Sequence, residues 1–180
     1  MTKPRNLIIL NLGCGADILP GAINIDIVKN KGVDIAHNLN KIPYPFKKNL
    51  IDVIYITDTF FLLNDPVSLM NEFYRILKKN GRLVITNAYF RSKFAYVDPY
   101  TKSFYTVHSF DFYSQSSLTA KKYKYSDCSF DIEKIRFNEH LKNRLFKNLV
   151  VWFANIFPHQ YESLSHFYPL DRITHYLIKR

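Results

Sequence analysis

The chain has 180 residues, 47% of them hydrophobic and 22% charged, with a formal net charge of +10. These values exclude a disordered chain, and the length allows one domain with a sizeable core and little more. The basic excess suits nucleic acid, anionic lipid headgroups or acidic substrates. It is diffuse, however: Lys121, Lys122 and Lys124 form one cluster, and Lys134, Arg136, Lys142, Arg144 and Lys147 another, which equally describes a solvated surface.

The elements, in chain order, begin with Leu7–Leu12, an apolar run of the kind buried on both faces of a parallel sheet. Residues 22–27 (AINIDI) read as a second strand, 33–36 as a short third, and 50–57 (LIDVIYIT) as a fourth. The two prolines of 42–46 make that stretch a loop or an edge. Asn64 or Asp65 can cap a helix that Pro66 opens and that Val67, Met70, Phe73, Tyr74 and Leu77 stripe with apolar side chains. Lys78 and Lys79 suit its C-terminal end, and Asn80-Gly81 stops it. Residues 82–86 (RLVIT) follow as a strand, which completes a right-handed βαβ unit.

Beyond Asn87 the pattern changes. Residues 89–105 are aromatic and irregular, and Thr106 can cap a short helix reaching Tyr113. Residues 129–137 alternate as a half-exposed strand, 141–157 form a basic amphipathic helix, and 172–178 a final edge strand. The reading as a whole is one unit over 1–180, with a cofactor-binding half at 1–87 and a substrate-side half at 88–180.

Cys14 and Cys128 are too few and too distant for a disulfide framework or a CxxC metal site, which suits a reducing cytoplasm. The apolar run after Arg5 stops at Asn11, too soon for a signal segment, and no run nears the ~20 apolar residues of a membrane span. His140, His159, His166 and His175 lack ligand spacing, so no metal site is expected.

The chemistry concentrates after the first strand. Gly13-Cys14-Gly15 gives a sharp turn with no Cβ between main chain and ligand. Asp26 ends the next strand, where a carboxylate grips ribose hydroxyls in Rossmann-type sites. Ile18 stands where a dinucleotide fingerprint has its third glycine, which favours a cofactor with a ribose and no pyrophosphate.

With those residues, the chain resembles the class I S-adenosylmethionine-dependent methyltransferases, in particular small single-domain members. The resemblance is carried by LNLGCGADILPGAINIDI, DIAHNLNKIPYPF, NEFYRILKKNGRLVI and YVDPYTKSFYTVHSFDFY, and more faintly by FANIFPHQYESLSHFYPLDRITHYLIK. It implies a Rossmann-like α/β fold: a seven-stranded, mostly parallel sheet with helices on both faces, its last strands an antiparallel hairpin. It also implies S-adenosylmethionine at the C-terminal ends of the first strands. Gly13, Cys14 and Gly15 would approach the methionine moiety, Asp26 would accept from the ribose hydroxyls, Asn38 and Leu39 would border the adenine, and Asn11, Ile27, Thr57 and Asp58 would be further cofactor-binding residues. Asn38 also reads as a plain turn residue ahead of Pro43.

Relatives carry a histidine and a Glu-His pair after the fourth strand, and a His and an Arg after a later Asp-Pro. Here Asp58, Phe61 and Leu62 stand in the first places, and Tyr100 to Ser103 follow Asp98-Pro99. Cofactor residues are kept while the acceptor side is rewritten.

Methyl transfer from a sulfonium needs alignment and exclusion of water, and a base only where the acceptor holds a proton. The candidate bases are Asp58 first, then His108 or Tyr105. The leading expectation is a methyltransferase acting on a sugar, a lipid-linked glycan or another small molecule. The alternatives are a protein that binds S-adenosylmethionine without turnover, as a partner subunit, and an RNA-binding or RNA-modifying module. For 141–157 the readings are a helix that covers the sheet or forms a dimer contact, and a peripheral helix at an anionic membrane.

Overall fold

Leu10, Leu12, Ile54, Ile56, Leu83, Ile85 and Leu177 are all 0% exposed, and they lie on one face of a single twisted sheet. The computed structural model describes residues 7–138 and 145–180, with the side chain of Leu145 left out. Its strands are β1 (Ile9–Leu12), β2 (Ile23–Asp26), β3 (Ile35–Ala36), β4 (Ile51–Thr57), β5 (Leu77–Ala88), β6 (Phe130–Asn138) and β7 (Arg172–Lys179). They lie in the order β3-β2-β1-β4-β5-β7-β6. β1 to β5 pair in parallel, and β7 runs antiparallel to both its neighbours. This is the expected seven-stranded Rossmann-like sheet. The strand order reverses between β1 and β4, and such a switch point leaves a crevice at the C-terminal strand ends.

The helices are α1 (Pro66–Ile76), α2 (Leu118–Tyr123), α3 (Leu145–Ile156) and α4 (Pro158–Leu164). Asp65 caps α1 by accepting from Ser68 N at 3.0 Å, and α1 buries Leu69, Met70, Phe73 and Ile76. Each such side chain contributes about 1.5–3 kcal/mol of burial. α4 joins the same core through Tyr161, whose ring packs on those of Phe137 and Tyr89. α3 lies along the β6 edge, where the Asn155 amide accepts from Phe137 N at 2.7 Å and donates to Phe137 O at 3.1 Å.

Cover of the two sheet faces is unequal. The β1–β2, β2–β3 and β3–β4 connections contain no α-helix. On the face opposite Leu10 and Ile54, the side chains of Tyr55, Thr57, Thr86 and Tyr176 stay partly or fully exposed.

Several boundaries differ from the sequence expectation, each for a local reason. The helix stops at Ile76 because Leu77 turns to extended backbone and pairs with Ile51. Lys78 then meets Asp52 at 2.7 Å, and Asn80, at φ +62°, bulges before β5 resumes at Arg82. β7 is not an edge strand: it lies between β5 and β6, and its alternation comes from the half-open second face. Thr106 opens turns and a short 3₁₀ stretch, 111–113, in place of the expected helix. The start of the 141–157 helix, with Lys142 and Arg144, lies outside the described residues, as does His140.

One buried carboxylate fixes the loop after β3. Glu72 accepts from Tyr44 N at 2.6 Å and takes two bonds from Arg75 at 2.7 Å. The Tyr44 hydroxyl in turn donates to Leu39 O at 2.9 Å. Glu72→Ala leaves a buried N–H and a guanidinium without their acceptor, and should lower stability by about 2–3 kcal/mol in urea unfolding.

His175 is fully buried on β7 against the Phe110 ring, 4.7 Å away, and burial brings its pKa down from 6.5 to about 4. The unfolded chain therefore takes up this proton first. The stability it supports is complete above pH ~6.5 and is lost as pH falls toward ~4, amounting to roughly 3 kcal/mol. His175→Phe should flatten the thermal midpoint over that window relative to the unsubstituted chain.

Candidate functional site

The turn after β1 is held by the end of β2. Gly13 N and Cys14 N both donate to Ile25 O, at 2.8 and 3.1 Å, and Gly15 N donates to Asp26 Oδ2 at 2.8 Å. Asp26 Oδ1 accepts from Val28 N at 3.2 Å. Gly13 and Gly15 have φ of +67° and +50°, the left-handed region that favours glycine. The expected pairing of a bare turn with the β2 carboxylate is therefore present as a direct bond.

The rest of the turn hangs on two amides. Asn11 Nδ2 donates to Asp17 O at 2.8 Å and to Asn24 Oδ1 at 2.9 Å, and Asn24 Oδ1 also accepts from Leu19 N at 2.8 Å. Asp34 closes the set by accepting from Asn24 N at 2.7 Å. Asn24 and Asp34 were not singled out in the sequence; a polar residue in the middle of an apolar strand was the available signal.

A cavity of about 540 Å³ opens at the C-terminal strand ends, lined by Asp26, Ile27, His37, Asn38, Leu39, Asn40, Thr59, Leu62, Leu63, Tyr100 and Lys102. Four expected residues, Asp26, Ile27, Asn38 and Leu39, meet there. Asn38 also serves the turn, since its Oδ1 accepts from Asn40 N at 2.9 Å, which leaves that oxygen one lone pair. A second cavity, about 620 Å³, lies beside the turn and brings together Asn11, Gly13, Cys14 and Thr57. Thr59 stands at the boundary. Its Oγ1 lies 3.1 Å from Gly13 O and 3.0 Å from Thr57 O, and a Cβ on Gly13 would come within 2.4 Å of it.

Tyr100 and Lys102 reach the cavity because Lys102 N and Ser103 N donate to Phe61 O at 2.9 and 3.3 Å. The Lys102 ammonium donates to Asn64 Oδ1. The sequence placed both in the rewritten stretch after Asp98-Pro99 but gave neither a role, since the irregular 89–105 segment carries no periodic signal. Phe60 and Phe61 do not plug the cavity: both are buried, and Phe60 packs against Phe73, Tyr105 and Phe110.

The candidate bases lie elsewhere. Asp58, at φ +47°, forms an ion pair with Arg172 and lines neither cavity. His108 is 60% exposed, bonded to Asp111 at 2.8 Å with its ring tilted against that of His159 at 4.8 Å, and it too lines neither. Tyr105 is buried, and burial pushes its hydroxyl pKa upward. The buried Cys14 thiol is also pushed up, by burial and by the neighbouring Asp26. Among the described residues no group of His, Cys, Asp or Glu is placed to hold a metal ion, and no helix is long and apolar enough to cross a membrane.

Comparison with known proteins agrees with this fold. Residues 12–85 match the family profile described as a methyltransferase domain. An S-adenosylmethionine-dependent methyltransferase from Archaeoglobus fulgidus superposes with a TM-score of 0.64 at 15% identity, over 96% of this chain and 86% of that one. One from Mesorhizobium loti gives 0.54 at 13%, over 96% and 91%. An O-methyltransferase of Brevibacillus brevis, solved with S-adenosyl-L-homocysteine, gives 0.58 at 15%, over 96% and 66%. Among curated proteins none matches this chain in sequence. The fold is thus that of the class I S-adenosylmethionine-dependent methyltransferases, and the segment from β1 into β5 carries their domain signature.

Gly13→Ala places a methyl group on Thr59 in a backbone conformation that costs an L-residue roughly 1–2 kcal/mol before the clash is counted. It should lower the urea midpoint, and Thr59→Gly added to it should restore only part of the loss.

Proposed function

We propose that this chain binds S-adenosylmethionine and transfers its methyl group to a small-molecule acceptor. The observation that carries the reading is the Asp26 carboxylate, bonded to the glycine turn and facing the 540 Å³ cavity. Each of its oxygens has accepted one backbone N–H, so each keeps a lone pair for a ribose hydroxyl. The volume falls within the ~300–1,000 Å³ of small-ligand sites, and the mix of apolar walls with few polar groups suits an adenosine.

In this reading Ile27, Leu39, Leu62 and Leu63 sandwich the base, and Asn38 offers its remaining lone pair to the exocyclic amine. Gly13 and Cys14 leave the main chain bare beside the methionine end, with Asn11 and Thr57 on its flank. The bound sulfonium supplies both the methyl group and the leaving group. The chain contributes alignment and exclusion of water, with Tyr100 and Lys102 over the opening.

The engagement of Asp58 by Arg172, with His108 outside both cavities, favours acceptors that need no strong protein base. It also supports a second reading, cofactor binding without turnover. Incubation with methyl-labelled S-adenosylmethionine and small-molecule extracts separates the two: label in a product supports transfer, and tight binding with no labelled product supports the second.

Calorimetry tests the shared step. S-adenosylmethionine should bind, and Asp26→Asn, which keeps an acceptor for Gly15 N but loses the charge, should weaken binding by about 1–3 kcal/mol. Unchanged affinity in that variant would move the ribose site elsewhere.

A further inference from the structure

The sheet face opposite Leu10 and Ile54 is laid out in rows that cross the strands. One row runs from Tyr55 through Val84 and Tyr176 to Lys134. The next runs from Thr86 through Thr174 to Arg136. Tyr55 and Tyr176 are half-buried, whereas Lys134 and Arg136, on the β6 rim, are exposed. The two tyrosines stand two strands apart, about 10 Å. The cavity of about 620 Å³ beside the glycine turn lies over the same face, with Tyr55 and Thr57 in its wall. Parallel strands are normally covered on both faces, so a bare face calls for an occupant.

The placement of charges and rings on this face chooses that occupant. The carboxylates around its β5–β7–β6 part are engaged by arginines: Asp58 by Arg172, Glu133 by Arg82 and Asp131 by Arg180. Among the described residues, neither Lys134 nor Arg136 pairs with a carboxylate. The Lys134 ammonium instead lies over the Tyr176 ring, 4.4 Å from its centroid. Unpaired cations on the rim attract phosphates, and aromatic rings on an open sheet offer stacking area to splayed bases. A bilayer would need protruding apolar side chains, whereas these half-buried rings adjoin a row of threonines. An acidic polysaccharide would have no bases to set on the rings. We propose that the open sheet face binds a single-stranded nucleic acid, its bases stacked on Tyr55 and Tyr176 and its phosphates held by Lys134 and Arg136. In the complex a base replaces the Lys134 ammonium on the Tyr176 ring, and the ammonium turns to the adjoining phosphate.

Fluorescence anisotropy of a labelled oligoadenylate of about 12 nucleotides tests this. The full chain is used without S-adenosylmethionine, so the result is independent of the cofactor reading. The single strand should bind with a Kd of about 10–100 μM at moderate salt, and more tightly than the same strand in a duplex. Two phosphate contacts predict a slope of about −1.4 for log affinity against log salt. Lys134→Gln and Arg136→Gln, both at exposed positions, should each weaken binding and take about 0.7 off that slope. Tyr55→Leu and Tyr176→Leu keep apolar bulk and should each weaken binding about tenfold with the slope unchanged. Circular dichroism checks every variant; if the tyrosine variants misfold, the two surface cations and the preference for single strand over duplex carry the test. Four outcomes overturn the proposal: no anisotropy change at about 200 μM protein, unchanged binding in both cation variants, duplex or heparin bound as tightly as the single strand, or a dimer without nucleic acid that Tyr176→Leu dissociates.

Discussion

The C-terminal end of the sheet depends on how a ten-residue connection without a helix is kept in shape. In a β-turn-helix unit the following helix holds the glycine turn; here the end of β2 does. Ile25 O takes two N–H groups of the turn and the Asp26 carboxylate takes a third. The same carboxylate therefore has a structural duty and faces the cavity. That dual position ties the local fold to the cavity, because removing the Asp26 side chain loosens the turn that forms the cavity wall.

Thr59 extends the constraint across the switch point. Its side chain fills the space that the missing Gly13 Cβ leaves, and its hydroxyl reaches the carbonyls of Gly13 and Thr57. The glycine is needed for its conformation and also for this close approach between the β1 turn and the residues after β4. The two cavities meet at that contact, so a ligand spanning both would pass beside Thr59.

Much of this was legible in the sequence. The run at Ile9–Leu12, the alternation at Ile51–Thr57 and the Asp65-Pro66 cap are local signals, and they place β1, β4 and α1 correctly. The Gly13-Cys14-Gly15 turn and Asp26 were readable as a pair because spacing alone brings them together. What stayed hidden depends on tertiary pairing. Leu77 continues the helical stripe, yet the Ile51 register claims it for β5. The alternation of Arg172–Lys179 looks the same for an edge strand as for a central strand with one wet face. Tyr100 and Lys102 reach the cavity only through hydrogen bonds to Phe61 O, which no pattern in their own segment announces.

The unequal cover of the sheet has a consequence for how the chain tolerates change. A strand roofed on both sides resists polar side chains at every position. Here β4, β5 and β7 should accept them at alternate positions only. Tyr55 and Tyr176 flank Val84 in one register row with water reaching both rings, while Ile54, Leu83 and Leu177 one residue away are sealed. Sequence drift in these strands would carry a period of two, so the central strands of this α/β protein would evolve like those of an antiparallel sheet with one solvated side.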